Sequence, residues 1–349
     1  MRPRTDGSPM WYRSHGSQPT IGQNAPIPTR PRLAGLQPDA HVTIVRMGGL
    51  GDTILMLPTL AILREAFPNA TFTLVGSMWA EALQPLVPFA ARTVHIDRVF
   101  PPARHGGHLA NVFAESSAVI VYTATSESDF VSYVRRACPG AVPIWPVVPA
   151  AGIHAARHLA NVVASVPSDP DALPMPTLQC PREDCLQARG WLDQEIGHGV
   201  HPIAVHPGSG GKWKCWPAQQ FAELAARLQV PVLLVEGPAD ADACREFAEA
   251  LASSVPVARA TGVSLSRLAA LLAESRGYVG NDSGVSHLAA ALGVPTVAVF
   301  GPTDPAVWAP LGPKVSVVTA RGDAPWPTVD AVRAAARKLF DDGATGAGA

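Results

Sequence analysis

Short apolar runs alternate along the chain with stretches whose apolar residues recur every three or four positions. The first kind reads as a strand buried on both faces, the second as an amphipathic helix. Val42 to Val45 is such a run. A glycine-rich turn, Arg46 to Asp52, follows it, and then Ile54, Leu55, Leu57, Leu60, Ile62 and Leu63 at helical spacing. The alternation predicts further strands over 71–75, 93–96 and 118–122, and helices over 78–86, 107–113 and 129–137. It resumes at 203–205 and runs through helix 221–228, strand 232–235, helix 241–251, strand 255–258 and helix 265–272. The last part reads as strand 278–280, a helix from Val285, strand 296–300, an edge strand over 315–318 and a helix over 329–339. Strand, helix, strand at this spacing predicts parallel sheets covered by helices, an α/β class.

Two regions interrupt the pattern. Residues 1–39 are rich in Pro, Gly, Ser, Gln and Arg without a period, and read as a disordered leader. Residues 138–198 are broken by prolines. They carry a short helix over 153–163, a linker over 167–180 and a second helix over 186–195. The expected division is therefore a domain over 40–190, a domain over 191–325, a closing helical segment over 326–340 and a frayed tail over 341–349.

Composition narrows the function. A chain of 349 residues is long enough for two cores, and a formal net charge of −1 argues against a nucleic-acid partner. No apolar run reaches the length of a membrane span, and no secretory segment opens the chain. Five scattered cysteines suit reduced thiols. Cys180 and Cys185 lack the histidine cluster a metal site would need.

Candidate chemistry gathers at three turns. Gly48, Gly49 and Gly51 lack the full dinucleotide fingerprint, so no nicotinamide cofactor is expected; they suit close backbone approach to a ligand. Asp52 in that turn reads either as a helix cap or as a charged carboxylate able to take a proton from a hydroxyl. The second turn, His206 to Pro217, holds Gly208, Ser209, Lys212 and Lys214. Only four lysines occur in the chain, and two stand here, which suits phosphate oxygens. The third, Asn281 to Gly284, opens a helix carrying Ser286 and His287. Asp282, Ser283, Gly284 and His287 become ligand candidates there, with simple packing as the other reading of His287. The loop from Glu236 to Asp240 lies where it can meet a base or ribose, and His154, Arg157 and His158 form either an anion-facing or a solvated helix face. No carboxylate cluster for a metal accompanies these turns.

Three blocks together resemble one family: RMGGLGDTILMLPTLAILREAFPNA, then HPGSGGKWKCWP, then GNDSGVSHLAAALGVPTVAVFGPTDP. Over about residues 41–340 the chain is similar to glycosyltransferase family 9, the ADP-heptose:lipopolysaccharide heptosyltransferases. The resemblance implies a GT-B fold: two Rossmann-like domains facing a cleft, the first binding the acceptor, the second the nucleotide sugar, with the last helix crossing back to the first. It implies an inverting, metal-independent transfer of heptose to an inner-core sugar. Asp52 falls on the family's base, and Ser209, Lys214, Asp282, Ser283, Gly284 and His287 fall on its donor site. Asp240 is a less well-aligned contact to the donor base. The implied partners are ADP-heptose and a glycan or lipid-linked acceptor. The implied location is cytoplasmic, at the inner face of the inner membrane with peripheral membrane contact, and no cofactor is implied. A transferase using another nucleotide sugar, or a protein or small-molecule acceptor, and a non-catalytic sugar-nucleotide binder remain alternatives.

Overall fold

The computed structural model describes residue 33 and residues 36–88, 91–96, 108–149, 152–163, 173–251 and 255–341. The expected leader and tail otherwise lie outside these residues. Two parallel sheets organise the chain. The first contains β1 (His41–Arg46), β2 (Thr71–Gly76), β3 (Arg92–His95), β4 (Ala118–Thr123) and β5 (Ile144–Pro146) in the order β3-β2-β1-β4-β5. The connecting helices are α1 (Leu50–Ala66), α2 (Met78–Leu83), α3 (His108–Ala114) and α4 (Asp129–Ala137), followed after β5 by α5 (Ala155–Ala160). Val42, Ile44 and Val45 in β1 are fully buried, as the unbroken apolar run requires of a central parallel strand. β5 was not expected. It lies in the proline-rich tract and pairs along one side only, an edge position that tolerates Pro143 and Pro146.

The second half begins with α6 (Arg182–Ile196), longer than the 186–195 expected. Its sheet contains β6 (Ile203–His206), β7 (Val232–Glu236), β8 (Val257–Thr261), β9 (Gly277–Asn281), β10 (Thr296–Phe300) and β11 (Val315–Thr319), ordered β11-β10-β9-β6-β7-β8. Between them run α7 (Ala218–Leu228), α8 (Ala241–Leu251), α9 (Leu265–Ala273), α10 (Gly284–Ala291) and the short α11 (Pro305–Trp308), and α12 (Val329–Asp341) closes the described chain. β8 starts two residues later than expected. Pro256 has no N–H to give the ladder, and its carbonyl accepts from Val232 N before Val257 pairs with Val232. Gly293, at φ 78°, ends α10 in a left-handed turn that side-chain-bearing residues resist.

Two expected boundaries shift. The division at 190/191 falls inside α6, whose Ala188, Leu192 and Ile196 pack with Leu233, Val235 and Ala258 of the second sheet. α6 therefore belongs to the second half. The closing helix was expected to cross back to the first domain. Instead Val332, Ala336 and Phe340 of α12 pack against Val205, Phe221 and Val299 of the second. An amphipathic stripe specifies that a helix is buried, not which sheet buries it.

The halves are joined elsewhere. α1 packs along α10, and one apolar cluster runs from Leu50, Ile54, Leu57, Leu83 and Leu86 to Leu233, Leu272 and Leu288. The tract expected as a linker is stitched to both halves: Leu178 N donates to Ala291 O, and Gln179 N to Leu86 O. Each sheet reverses its strand order at one place, β1/β4 in the first and β6/β9 in the second. Ligand crevices in open α/β sheets form beyond the carboxyl ends of strands at such points. The turns after β1, β6 and β9 are the three that carry the candidate residues.

Candidate active site

The turn after β1 is built around Asp52. Its Oδ1 accepts from Arg46 Nη2 at 2.7 Å and its Oδ2 accepts from Gly49 N at 2.9 Å. The second bond is the helix-capping interaction that an acid in the first turn makes. The side chain is still 34% exposed, so the carboxylate caps α1 and also faces open space. Capping and chemistry are thus not exclusive here. Arg46 is buried, and its Nη1 donates to Met47 O at 2.6 Å, which fixes the guanidinium behind the carboxylate.

The turns after β6 and β9 are tied into one body. Asn281 Nδ2 donates to Pro207 O and Gly208 O, and its Oδ1 accepts from Trp216 N at 2.7 Å. Ser209 Oγ donates to Asp282 O at 2.7 Å, and Lys214 Nζ lies 3.3 Å from Asp282 Oδ2. These bonds bring Ser209 and Lys214 beside Asp282. Lys212 is not brought there. It pairs with Asp242 at 3.0 Å, and both groups are exposed. Trp213 is 60% exposed, whereas Trp216 is buried edge-on to Phe221.

Ser283 caps α10 by accepting from Ser286 N. The N–H groups of Ser286 and His287 turn back to Ser283 O, whereas those of Gly284 and Val285 belong to the first turn, which has no partner inside the helix. These N–H groups and Lys214 make an anion-facing corner. Glu236 ends β7 half-buried at the same edge of the sheet. A cavity of about 200 Å³ lies between the glycine-rich loop and the start of α8, lined by Gly208, Ser209, Cys215, Asp240, Asp242 and Glu246 among others.

α1 and α10 meet at their amino ends. A Cβ on Gly51 would stand 2.8 Å from His287 Cδ2 and 3.5 Å from Gly284 Cα; one on Gly284 would stand 2.8 Å from Leu50 Cβ. The contact brings the turn that carries Asp52 against the helix start that carries His287, whose ring feels the charges of both Asp52 and Asp282. His287 is buried, and its Nδ1 has no hydrogen-bond partner among the described residues. Burial pushes its pKa down to about 4, against the opposing pull of the Asp282 and Asp52 charges, so the ring is neutral near pH 7.

Several expectations change. The glycines do not leave room for a ligand. The space above Gly48 holds the Asp52 side chain, that above Gly51 His287, that above Gly208 Asp240, and that above Gly284 Leu50. At Gly49 the nearest atom, Asp52 Oδ2, is an ordinary 3.7 Å away, and at Gly210 in the second turn nothing stands within 4 Å. Asp240 lines the cavity at the start of α8 but is largely buried, with its Oδ2 2.9 Å from His206 Nε2 and accepting from Gly237 N at 3.0 Å. His154 and His158 are also spent: His154 Nε2 lies 2.9 Å from Ala309 O and His158 Nε2 2.7 Å from Pro146 O. Among the described residues, no three His, Cys, Asp or Glu side chains are grouped to hold a metal ion, and no helix is long and apolar enough to cross a membrane. Arg46 and His206 were missed. Each is a polar residue closing a buried apolar strand directly before a glycine-containing turn, which is the signal that was available.

A model of glycosyltransferase family 9 (heptosyltransferase) matches residues 116–335, more than half of the chain. The chain belongs to this family. Lipopolysaccharide heptosyltransferase 3 of Escherichia coli is 30% identical to it over 139 residues, which are 38% of this chain and 41% of that protein. The matched stretch thus spans about two fifths of the curated relative's length. The fold is shared more widely. A family 9 glycosyl transferase of Veillonella parvula superimposes with a TM-score of 0.74 at 21% identity, covering 88% of this chain and 99% of that one. E. coli ADP-heptose lipopolysaccharide heptosyltransferase II does so with 0.72 at 20% identity, covering 86% and 99%. The two parallel sheets facing a cleft are accordingly a GT-B fold.

Proposed function

We propose that the chain transfers heptose from ADP-heptose to a hydroxyl of a lipopolysaccharide inner-core acceptor, with Asp52 as general base and without a metal ion. One observation carries the reading: the α1–α10 contact sets a solvent-reachable carboxylate from one half against an anion-facing corner from the other. Family membership and the ADP-heptose in the name of E. coli heptosyltransferase II support the donor. The names of the curated relatives support the acceptor class.

In this reading Lys214 and the first N–H groups of α10 hold the diphosphate, Ser209 fixes the glycine-rich loop beside them through its bond to Asp282 O, Asp282 and neutral His287 orient sugar or ribose hydroxyls, and Glu236 meets the nucleoside. A cation and fixed N–H groups stabilise the leaving diphosphate more strongly in a cleft than in water. Asp52 takes the acceptor proton as the hydroxyl attacks from the face opposite the diphosphate. One displacement inverts the anomeric centre, and no second carboxylate is needed for a covalent intermediate. The test is a transfer assay over a panel of nucleotide sugars with purified core acceptors, reading the anomeric configuration of the product by NMR. A retained configuration overturns the single displacement. Transfer from another nucleotide sugar in preference to ADP-heptose overturns the donor assignment.

A further inference from the structure

His206 closes β6, is only 3% exposed, and touches the third turn from behind. Nε2 stands 2.9 Å from Asp240 Oδ2 and Nδ1 stands 3.3 Å from Ser283 Oγ. Burial pushes the Asp240 carboxyl upward, but the hydrogen bonds from His206 and Gly237 N–H outweigh it and hold the group below its ordinary value. A carboxylate only accepts, so the proton facing Asp240 sits on His206 Nε2. On the other side of the ring Nδ1 faces the Ser283 hydroxyl. The chain of contacts continues inward. Ser283 Oγ lies 3.4 Å from Ser286 Oγ, which lies 3.0 Å from Tyr278 OH and donates to Asn281 O at 2.5 Å.

The Ser283 hydroxyl is therefore held by the protein on two sides, by the His206 ring and by Ser286 N, from which it accepts. What it controls is where α10 starts, because the cap fixes the direction in which the N–H groups of Gly284 and Val285 point. We propose that His206, held by Asp240, is a positioning residue for the donor: through Ser283 it fixes the aim of the α10 amino end at the diphosphate. This rests on the reading that the turn receives ADP. It also gives Asp240 a role other than nucleotide contact, and explains the lack of room for a side chain at position 208, where a Cβ would stand 2.0 Å from Asp240 Oδ1.

Four variants and calorimetry with ADP test it. His206→Phe keeps the ring shape and removes both hydrogen bonds; ADP affinity falls about tenfold or more, the scale of one buried hydrogen bond to a charged group. His206→Asn places an amide oxygen near the position of Nδ1, keeps the bond to Ser283 and stays within a few-fold of wild type. His206→Gln reaches Asp240 but not Ser283, and loses affinity like the Phe variant. Asp240→Asn still accepts from Nε2 and keeps affinity. A packing role predicts the reverse ranking, with Phe the best tolerated. Wild-type affinity in His206→Phe, or equal loss in the Asn and Gln variants, overturns the proposal alone. Absence of ADP binding by the wild type overturns the donor reading, and the proposal with it. If the Phe variant does not fold by circular dichroism, the Asn and Gln comparison decides.

Discussion

Arg46 Nη2 donates to Asp52 Oδ1 at 2.7 Å, so one oxygen of the carboxylate is held by a buried cation while the side chain as a whole stays partly open. Its other oxygen accepts from Gly49 N. A carboxylate anchored in this way has little side-chain freedom left to lose on meeting a ligand. Asp52→Asn preserves the size and much of the capping, and removes the proton acceptor. Turnover should fall by about a hundredfold or more, the usual scale for a general base, with ADP affinity unchanged. Rate and affinity measured side by side check this, and transfer at the wild-type rate places the base elsewhere.

Lys214 shares Asp282 with no other cation among the described residues. Lys214→Ala removes the proposed phosphate partner and leaves the Asp282 carboxylate unneutralised at the same corner. ADP affinity should drop by about tenfold or more, since a hydrogen bond to a charged group is worth roughly 1.5–3 kcal/mol. Titration calorimetry reads the change, and an unaltered dissociation constant removes Lys214 from the donor site.

Asp282 is engaged by Lys214, and among the described residues no three His, Cys, Asp or Glu side chains are grouped to hold a metal ion. Divalent ions that bridge phosphates are held by carboxylate oxygens. Turnover should therefore persist in EDTA. Loss of activity with the chelator, restored by magnesium or manganese, contradicts the metal-free reading.

Gly284 and Gly51 are helix-contact positions. Gly284→Val presses on Leu50 and the Gly51 backbone, and Gly51→Ala presses on His287. Overpacking of this kind costs about 1–3 kcal/mol. Urea denaturation should show a lower midpoint for both variants. Unchanged stability with weakened ADP binding would instead place Gly284 against the ligand.

His287 sets a pH dependence. Its folded value is about 4, against an ordinary 6.5, because burial disfavours the charged ring. Above about 6.5 both states are neutral there and the full contribution is present. As pH falls toward 4 the unfolded chain takes up a proton that the folded chain refuses, so stability declines. Each unit of difference is worth about 1.4 kcal/mol, which gives a loss on the order of 3 kcal/mol across that window. Denaturation of the wild type and His287→Gln from pH 7 to 4 should show a flatter profile in the variant. Parallel profiles would mean that His287 does not titrate as its burial requires.

The sheets were legible because parallel strands announce themselves as unbroken apolar runs. Thr296–Phe300, Ala241–Leu251 and Asp129–Ala137 fall where their patterns place them. β5 was hidden because prolines read as breaks, although an edge strand tolerates them. The docking of α12 was hidden because its apolar stripe fits either sheet. At the site, the residues that gather were visible one turn at a time. What was not visible is which groups satisfy one another across long separations. Asp240 reads as an open loop acid until His206, on a different strand, takes its carboxylate. The glycines read as ligand space until the side chains of Asp52, His287 and Leu50 are seen to fill it.

The apolar cluster that runs from Leu50 and Leu57 through Leu83 to Leu233 and Leu288 has a consequence for how the molecule comes apart. Neither sheet owns it, so neither can be exposed to water without stripping apolar contacts from the other. Heating should then produce a single cooperative transition rather than two, and damage to one half should lower the melting point recorded by probes in the other.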